Sequence, residues 1–433
     1  MIPMEEETTL NKVQKLQRAL NRKAKENPKW RAWTLYGDLC RRDVMEDALK
    51  AVLGNAGAAG VDGVRTESVK DDASAFLDRL QTELHDRSYR PSPVLRVWIP
   101  KADGKQRPLG IPTVKDRVVQ TALKLLLEPI FEADFNEYSF GYRPGRSAHQ
   151  ALEAVREELY RGRNEVIDAD LSGYFDTIPH SELLKLVARR VSDGAILRLV
   201  KLFLKAPIVE EKNGKKRIQP NDRGTPQGGV ISPLLANLYL NSLDHGVNGN
   251  PELEAKLIRF ADDFVLLCRP GKGQALYERL KVYMKRKGLV LNEEKTRIVD
   301  ARQQRFRLLG FEIGWQKSWR TQRNYVHTQP SRKALQAYRD ELRKELATWT
   351  TWQSCAEKVR VVNRKVHGWA NYFHYGNCCE AFNVLQTWTN QRFRTWLYRK
   401  YHWKSGYYTF FTDARLYGQY HLWKLPTTPG YTR

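Results

Sequence analysis

The most informative part of the sequence is Lys256-Leu-Ile-Arg-Phe-Ala-Asp-Asp-Phe-Val-Leu-Leu-Cys268. Two short apolar runs flank a pair of adjacent carboxylates, Asp262 and Asp263. This pattern predicts a β-hairpin with both aspartates at its turn. Paired carboxylates between buried strands cost free energy unless positive charge balances them, and a divalent metal ion is one such balance. A solvated Asp-Asp turn is the ordinary alternative for the pair taken alone.

The composition indicates a protein that binds a polyanion. At 433 residues the chain is too long for one small domain, and about two to four modules are expected. The 73 Lys and Arg residues exceed the 49 Asp and Glu residues, which gives a net charge of +24. Such an excess favours nucleic acid over a membrane surface as the partner. Charge alone does not separate RNA from DNA.

The cysteines and the termini bear on the cellular compartment. The chain has five cysteines, an odd number, and no pair has C-x-x-C spacing. This favours a reducing compartment over a disulfide framework or a zinc ribbon. No apolar run approaches the length of a membrane span, and the acidic first residues do not resemble a signal peptide. We therefore expect a cytoplasmic protein with no membrane partner.

A cationic hairpin is predicted over residues 94 to 113. Two apolar runs flank the turn Asp103-Gly104, which closes a hairpin. Lys101, Lys105 and Arg107 cluster at its tip. Three cations at one tip suit a triphosphate. A charged surface turn is the alternative reading of this segment alone.

Two further segments carry candidate site residues. Residues 166 to 171 are predicted to form a strand in which Asp168 and Asp170 face the same side. The loop that begins at residue 223 reads Arg-Gly-Thr-Pro-Gln-Gly-Gly, and two glycines follow Gln227. Glycines at this point allow the backbone to approach a flat ligand closely. The first segment offers acidic ligands and the second offers a binding surface.

The remaining pattern predicts alternating helices and strands, then a basic helical module. Helices are expected over 72–88, 115–133, 148–160, 181–206, 274–287, 331–347 and 381–399, a hairpin over 208–222, and one strand over 306–313. Nine of the 12 tryptophans lie from Trp315 onward. Arginines interleaved with aromatic residues suit RNA recognition, although a bundle core is expected to account for about half of these aromatics. Residues 401 to 433 receive no assignment.

Asp170, Asp262 and Asp263 together suggest nucleotidyl transfer. That reaction uses two metal ions about 3.5–4 Å apart. Aspartates on adjacent strands can supply the oxygen ligands that Mg²⁺ prefers. The cationic hairpin would then neutralise the leaving phosphates.

From about residue 59 to residue 400 the sequence resembles a reverse transcriptase of the group II intron maturase type. The resemblance rests on a series of motifs that occur in the family's order. They are Gly60-Val-Asp-Gly63, Arg107-Pro-Leu-Gly-Ile-Pro112, Phe140-Gly-Tyr-Arg-Pro144, Asp170-Leu-Ser-Gly-Tyr-Phe-Asp176, Gly224-Thr-Pro-Gln-Gly-Gly229, Ser232-Pro-Leu-Leu-Ala-Asn237, Phe260-Ala-Asp-Asp263, Lys295-Thr296, Leu309-Gly-Phe311 and Gly368-Trp-Ala-Asn-Tyr-Phe373.

The resemblance implies an α+β right-hand polymerase with fingers and palm, followed by an α-helical thumb. Residues 1–90 would form an N-terminal extension with basic helices, and 91–315 the fingers and palm. Residues 316–400 would form the maturase or thumb domain, and 401–433 a short tail that binds DNA or RNA. The implied activity is RNA-directed DNA synthesis, with binding of a structured intron RNA to assist splicing and retrohoming. The implied partners are RNA template with DNA primer, dNTPs and target DNA.

The resemblance also assigns roles residue by residue. The metal-binding set is Asp170, Leu171, Asp262 and Asp263, with Mg²⁺ as the cofactor and Mn²⁺ as a substitute. Lys295 would either protonate the leaving pyrophosphate or orient its own loop. The substrate-binding set is Lys101, Arg107, Phe175, Gln227, Gly228 and Phe260. Within it, Phe175 would exclude the 2′-hydroxyl of an rNTP, whereas Asp168 is expected to be structural or solvated.

The sequence departs from the family's pattern at two points. Many relatives carry Tyr where Phe260 stands, and the ring without its hydroxyl is expected to preserve activity. His402 and His421 have no cysteines after Cys379 to accompany them, so we expect no zinc-dependent DNA endonuclease.

Two other functions remain open. One alternative function is that of a domesticated reverse transcriptase in phage defence or CRISPR adaptation. The other is an RNA-binding splicing factor with a vestigial polymerase.

Overall fold

The computed structural model of the protein describes residues 10–100, 106–212, 215–402 and 407–430. Helices and strands alternate through most of this length, so the fold is of mixed α and β type. Within those ranges no helix is both long and apolar enough to cross a membrane. All five cysteines are free thiols.

Helices make up the larger part of the described chain. In chain order they are α1 Lys12–Glu26, α2 Leu35–Leu39, α3 Arg42–Gly54, α4 Thr66–Asp71, α5 Ala73–His85, α6 Val114–Glu132, α7 Ala148–Tyr160, α8 Tyr174–Thr177, α9 His180–Ala188, α10 Gly194–Leu204, α11 Ser232–Asn248, α12 Gly273–Arg286, α13 Arg332–Glu345, α14 Cys355–Phe373, α15 Cys379–Lys400, α16 Tyr407–Phe410 and α17 Asp413–Gly418. Side-chain caps fix several N-termini: Asn11 caps α1, Thr113 caps α6 and Asp193 caps α10. Each cap satisfies a backbone N–H that the helix leaves unpaired.

The strands form three sheets. In chain order they are β1 Val94–Pro100, β2 Gln106–Ile111, β3 Glu165–Ala169, β4 Ile208–Lys212, β5 Lys215–Gln219, β6 Ala255–Phe260, β7 Asp263–Cys268, β8 Arg297–Asp300, β9 Phe306–Leu308, β10 Phe311–Lys317 and β11 Asn324–Pro330. The strand orders are β2-β1-β4-β5, β6-β7-β3-β8 and β11-β10-β9. In the first sheet β1 pairs antiparallel with β2 and parallel with β4.

Three sequence-based expectations need correction. Residues 306–313 form two strands, because Leu309 and Gly310 take positive φ values of 52° and 82° and turn the chain between them. Residues 181–206 form two helices, because the side chain of Asp193 accepts hydrogen bonds from the backbone of Ala195 and Ile196 and starts α10. The segment from residue 316, expected to be helical, also contains strand β11, which pairs antiparallel with β10. The turns expected at 103–104 and 213–214 lie outside the described residues.

Contact density divides the described chain into two compact units. Unit 1 comprises the described parts of Met1–Ala151, Ala169–Phe264 and Ala275–Thr296, and unit 2 those of Leu152–Asp168, Val265–Gln274 and Arg297–Arg433. In unit 1 the apolar helix α6 contacts α1, α2, α3 and α11 and forms the centre of the core. Asp116 in its first turn is buried and accepts hydrogen bonds from the hydroxyls of Tyr89 (2.6 Å) and Thr113 (2.7 Å). These bonds satisfy a carboxylate that burial alone would destabilise.

The core of unit 2 is built around an aromatic cluster. The ring of Phe311 on β10 is fully buried. It lies 5.8 Å from Tyr372, 5.1 Å from Phe373 and 5.9 Å from Tyr375 between ring centroids. Tilted and edge-on ring pairs at such distances add stability beyond their buried area. The cluster therefore joins β10 to the end of α14.

Phe311→Ala is predicted to destabilise this core by about 3–5 kcal/mol, because it removes a large buried ring and leaves a cavity. Chemical denaturation followed by circular dichroism measures the change in the free energy of unfolding. Trp319→Ala is the matched control, since Trp319 is 79% exposed, and about 0.5 kcal/mol or less is expected. Equal losses in the two variants would contradict the cluster's structural role.

Candidate active site

The two adjacent aspartates lie at the tight turn between β6 and β7. β6 ends at Phe260 and β7 begins at Asp263, so Ala261 and Asp262 make the connection. Ala261 is buried and has φ of +60°, a left-handed conformation that costs free energy in a residue other than glycine. Asp262 is half-buried and Asp263 is exposed. The predicted hairpin and the turn position of the pair are therefore present in the structure.

A buried arginine fixes this strained turn. Arg259 is fully buried, and its Nη1 donates to the backbone oxygen of Ala261 at 2.8 Å. Its Nε and Nη2 donate to the two carboxylate oxygens of Asp244 at 2.8 and 2.5 Å, which makes a bidentate pair with α11. The remaining donors reach the Asn237 side-chain oxygen and the Ser139 hydroxyl, each at 2.8 Å. All five N–H groups of the guanidinium are thus used.

The same network brings the segment around Gly141 onto the turn. Asn237 donates to the backbone oxygen of Gly141 at 2.6 Å. A Cβ at Gly141 would lie 2.4 Å from the backbone nitrogen of Ala261, so no larger residue fits there. Two motifs far apart in sequence, 140–144 and 260–263, are therefore in direct backbone contact.

Asp170 is held by the turn that precedes β8. Its carboxylate accepts from Lys295 Nζ at 3.1 Å and from Asn292 Nδ2 at 3.3 Å. Its backbone oxygen accepts from the backbone N–H of Asn292 at 2.8 Å. The Asp170 side chain is 47% exposed and that of Lys295 is 61% exposed. The turn thus places a cation beside the first candidate metal ligand.

The loop that contains Gln227 packs on β2. The Arg107 Nε donates to the side-chain oxygen of Gln227 at 2.7 Å. The backbone N–H of Gly110 donates to the backbone oxygen of Gln227 at 2.5 Å. Gly228 has φ of +109°, and a Cβ there would lie 2.3 Å from the backbone oxygen of Gly110. The absence of a side chain at Gly110 and Gly228 thus allows the backbones of β2 and the loop to come into contact. This contact places Arg107 next to Gln227.

Phe175 lies next to the start of the same loop. Its ring is buried and contacts Tyr174 edge-on, with centroids 5.5 Å apart. Its backbone oxygen accepts from the Thr225 backbone N–H at 2.6 Å. A Cβ at Gly224 would lie 2.6 Å from that same oxygen. The motif that begins at Asp170 and the glycine-rich loop are therefore neighbours.

The electrostatics of Asp262 link these parts. Burial raises the pKa of Asp262 above the usual aspartate value. Its own backbone N–H and the charge of Arg107 lower this pKa, the charge of Asp170 raises it, and Arg259 lowers it. The charges of Asp170 and Arg107 are hence close enough to act on the carboxylate of Asp262. A carboxylate with a raised pKa, beside a second carboxylate, favours the approach of a cation.

The carboxylate oxygens of this site fit a hard divalent cation, provided that a substrate supplies the remaining ligands. The described residues contain no group of three or more His, Cys, Asp or Glu side chains arranged to hold a metal ion. Asp170 and Asp262 supply carboxylate oxygens, whereas Leu171 has only its backbone oxygen to offer. Mg²⁺ is commonly bound by one or two carboxylates together with substrate phosphates. Two carboxylates are therefore sufficient protein ligands for such an ion.

Unit 1 contains nearly all the residues proposed for the site from the sequence. Asp170, Leu171, Phe175, Gln227, Gly228, Phe260, Asp262, Asp263, Lys295 and Arg107 all belong to it. Lys101 lies outside the described residues. Asp168 belongs to unit 2 and is paired with Arg297 Nη2 at 3.2 Å. This pairing agrees with the structural role expected for Asp168.

Sequence reasoning missed the residues that support the site. The sequence does not single out four of them. Arg259 bonds to the turn at Ala261, Asp244 and Ser139 bond to Arg259, and Asn292 bonds to Asp170. One signal was available, because Arg259 stands inside the apolar run of β6. A cation in a buried strand requires an acidic partner. Which carboxylate would supply it was not readable from the sequence.

Comparison with known proteins identifies the family. Residues 99–313 match the family "Reverse transcriptase (RNA-dependent DNA polymerase)", and residues 335–414 match "Group II intron, maturase-specific domain". Protein YkfC of Escherichia coli K12 is 34% identical over 74% of this chain and 93% of that protein. The chain belongs to the group II intron reverse transcriptases.

Further relatives of this reverse transcriptase are longer than the chain. The group II intron-encoded protein LtrA of Lactococcus lactis subsp. cremoris is 31% identical over 66% of this chain and 57% of that protein. The "Uncharacterized 91 kDa protein in cob intron" of Schizosaccharomyces pombe is 35% identical over 48% of this chain and 25% of that protein. A solved chain of the "Partial Cas6-RT-Cas1--Cas2 complex" has a TM-score of 0.36 at 20% identity, over 58% of this chain and 42% of that one.

Asp244→Ala is predicted to destabilise the protein by about 3–5 kcal/mol, because it leaves Arg259 charged, buried and without its carboxylate. Denaturant unfolding measures the loss. The double variant Asp244→Leu with Arg259→Met removes both charges and should lose less stability than Asp244→Ala alone. If the double variant were less stable than Asp244→Ala, the uncompensated charge of Arg259 would not be the cause of the loss.

Asp262→Asn is predicted to change stability with a sign that depends on pH. Because the folded-state pKa of Asp262 is raised, its contribution to stability is present below the unfolded-state pKa and is lost as the pH rises through the folded-state pKa. In buffer with a metal chelator, the free energy of unfolding of the Asn variant should therefore rise relative to that of the wild type as the pH increases from acid to neutral. Denaturation midpoints of both proteins across this range measure the difference.

Asp300→Asn is the control of opposite sign for that measurement. Hydrogen bonding by Arg302 holds the pKa of Asp300 below its usual value, although burial opposes the shift. Its contribution is therefore present above the unfolded-state pKa and lost as the pH falls through the folded-state pKa. The Asn variant should lose stability against the wild type at neutral pH and recover in acid. The same trend in both variants would contradict the raised pKa of Asp262.

Proposed function

We propose that this protein is an RNA-directed DNA polymerase of a group II intron, which also binds its intron RNA to assist splicing and retrohoming. The observation that carries the proposal is the convergence of Asp262, Asp170 with Lys295, and the Arg107–Gln227 pair within unit 1. The two family matches support the same reading, one for polymerisation and one for splicing assistance. The net charge of +24 suits template, primer and intron RNA.

The proposed division of labour follows the contacts. Arg107 would grip the triphosphate while its bond to Gln227 orients the surface beneath the nascent base pair. Phe175 would form the wall that admits a dNTP and excludes the 2′-hydroxyl of an rNTP, and Phe260 would carry a ring near the primer end. Lys295, which is bonded to Asp170, would either protonate the departing pyrophosphate or hold its loop in place. Arg259 would keep the turn that presents Asp262.

The proposed cofactor is Mg²⁺, with Mn²⁺ as a substitute, held by Asp170 and Asp262 with support from Asp263 and the backbone of Leu171. Two such ions supply activation of the primer 3′-hydroxyl and charge neutralisation at the triphosphate. The protein's own task is then to position substrate against these carboxylates. Arg107, Gln227 and Phe175 perform that positioning.

The finer architecture is part of the same proposal. Residues 91–315 would form the fingers and palm of a right hand, 316–400 the thumb or maturase domain, 1–90 an N-terminal extension and 401–433 a tail that binds DNA or RNA. The further partners proposed are dNTPs and target DNA, with no membrane. The proposed location is the bacterial cytoplasm, at the nucleoid when target DNA is bound.

Asp262→Ala is predicted to reduce primer extension on a primed RNA template by about 100-fold or more, because metal-ion catalysis contributes several kcal/mol. Extension is measured with purified protein, Mg²⁺ and dNTPs under single-turnover conditions. Asp168→Asn is the matched control, since Asp168 is paired with Arg297 and lies outside the proposed site. It should extend primers within a few-fold of the wild type.

Two outcomes would overturn the polymerase proposal. Primer extension by the Asp262→Ala variant at the wild-type rate would show that the proposed active site is not where polymerisation takes place. Absence of extension by the wild type, together with splicing assistance that survives Asp262→Ala, would favour a splicing factor with a vestigial polymerase.

A further inference from the structure

A short aromatic segment between α13 and α14 carries two highly exposed tryptophans. The segment reads Thr348-Trp-Thr-Thr-Trp-Gln-Ser354 and contains no acidic residue. Trp349 is 76% exposed and Trp352 is 79% exposed. Among the described residues no hydrogen bond, ring contact or cation contact to either indole is found. Large indole rings so far from the core are unusual without a partner that covers them.

Hydrogen bonding makes the backbone of this segment rigid. Thr350 is buried, and its hydroxyl shares its single proton between the backbone oxygens of Glu345 (2.9 Å) and Ala347 (2.7 Å) and accepts from Trp396 Nε1 at 3.0 Å. The backbone N–H of Thr350 also donates to Ala347 at 3.0 Å, and that of Gln353 donates to Thr350 at 3.2 Å. The exposure of the two indoles is therefore a property of an ordered segment.

The same backbone geometry keeps the two tryptophans close together along the chain. A 3₁₀ helix spans Thr348–Thr350, and i to i+3 backbone hydrogen bonds continue to the N–H groups of Thr351 and Gln353. In 3₁₀ geometry side chains three residues apart lie on the same side. Trp349 and Trp352 are three residues apart, and at about 2.0 Å of rise per residue their backbone positions are roughly 6 Å apart along the axis. Stacked bases lie about 3.4 Å apart. Both rings can hence contact one base or two successive bases of the same strand.

Two cations of α15 brace the same segment. Arg399 Nη1 donates to the Thr348 hydroxyl at 2.6 Å. Lys400 Nζ donates to the backbone oxygens of Thr351 at 2.9 Å and Gln353 at 2.7 Å. Positive charge therefore accompanies the exposed rings, and the segment itself adds no negative charge. A strand that presents bases to the rings and phosphates to the cations is complementary to this surface.

We propose that Trp349 and Trp352 form a stacking platform for unpaired bases of a single-stranded RNA segment. The proposal deepens the RNA-binding part of the proposed function and rests on it, but it does not involve the polymerase site. Double-stranded RNA does not fit such a platform, because its bases are stacked on one another and not available. Specificity for unpaired over paired RNA is therefore the signature that this surface should confer.

The test measures binding of a short labelled oligouridylate and of a labelled RNA duplex by fluorescence anisotropy at fixed salt. Trp349→Ala with Trp352→Ala is expected to weaken single-strand binding by about tenfold or more for each ring lost, and to leave duplex binding within about twofold. Trp349→Phe with Trp352→Phe is the matched control, and it should recover most of the affinity, because a phenyl ring still stacks. The denaturation midpoint of each variant confirms folding, and no shift is expected for exposed rings.

Three results would overturn the platform. The alanine variant could bind both RNAs as the wild type does. It could lose both equally, which would indicate a charge effect or a general disturbance. It could keep RNA binding but lose self-association in sedimentation, which would make this face a protein interface.

Primer extension separates this proposal from the polymerase proposal. The alanine variant should extend a preannealed primer at the wild-type rate, since no residue of the polymerase site is changed. If the wild type itself fails to extend, the polymerase proposal fails, and the platform is still decided by the single-strand and duplex affinities.

Discussion

The ion pair between Arg259 and Asp244 is the constraint on which the candidate active site depends. Two opposite charges removed from water gain little net stability unless their geometry is excellent and every donor has a partner. Here all five guanidinium N–H groups are used, two on Asp244 and one each on Asn237, Ser139 and Ala261. A lysine has three donors on a flexible stem and could not reproduce this arrangement. The pair therefore specifies one conformation of the turn.

This conformation of the turn sets the positions of Asp262 and Asp263. Ala261 is held at positive φ although it has a Cβ, and Asp262 is half-buried beside the charge of Asp170. Both features cost free energy, and strained or charged arrangements of this kind persist where the surrounding structure over-determines them. The Arg259 network and the close backbone contact at Gly141 provide that surrounding structure. Stability elsewhere in unit 1 thus offsets the free-energy cost of this turn and of its neighbouring carboxylates.

Unit 2 uses its aromatic residues in two different ways. Phe311 and its neighbours Tyr372, Phe373 and Tyr375 form a buried cluster. Trp349 and Trp352 are instead held outside the core by a hydrogen-bonded segment. The sequence predicted that core packing would account for about half of the aromatics in this region, but composition could not say which. The burial of each ring in the structure shows which aromatic residues belong to the core and which are exposed.

The local elements and the order of the motifs can be predicted from the amino-acid sequence. The periodicity of α6, α7 and α12, the β6–β7 hairpin and the Asp262–Asp263 turn were all readable, because they depend on residues close together in the chain. It missed the break at Leu309–Gly310 and the strand β11, since positive φ and strand pairing depend on neighbours that are not local. The contacts of Arg259 with Asp244, of Gly141 with Ala261 and of Lys295 with Asp170 are visible only in the folded structure. These contacts join residues that are 15, 120 and 125 positions apart in the chain, and packing, not local sequence preference, determines which of them form.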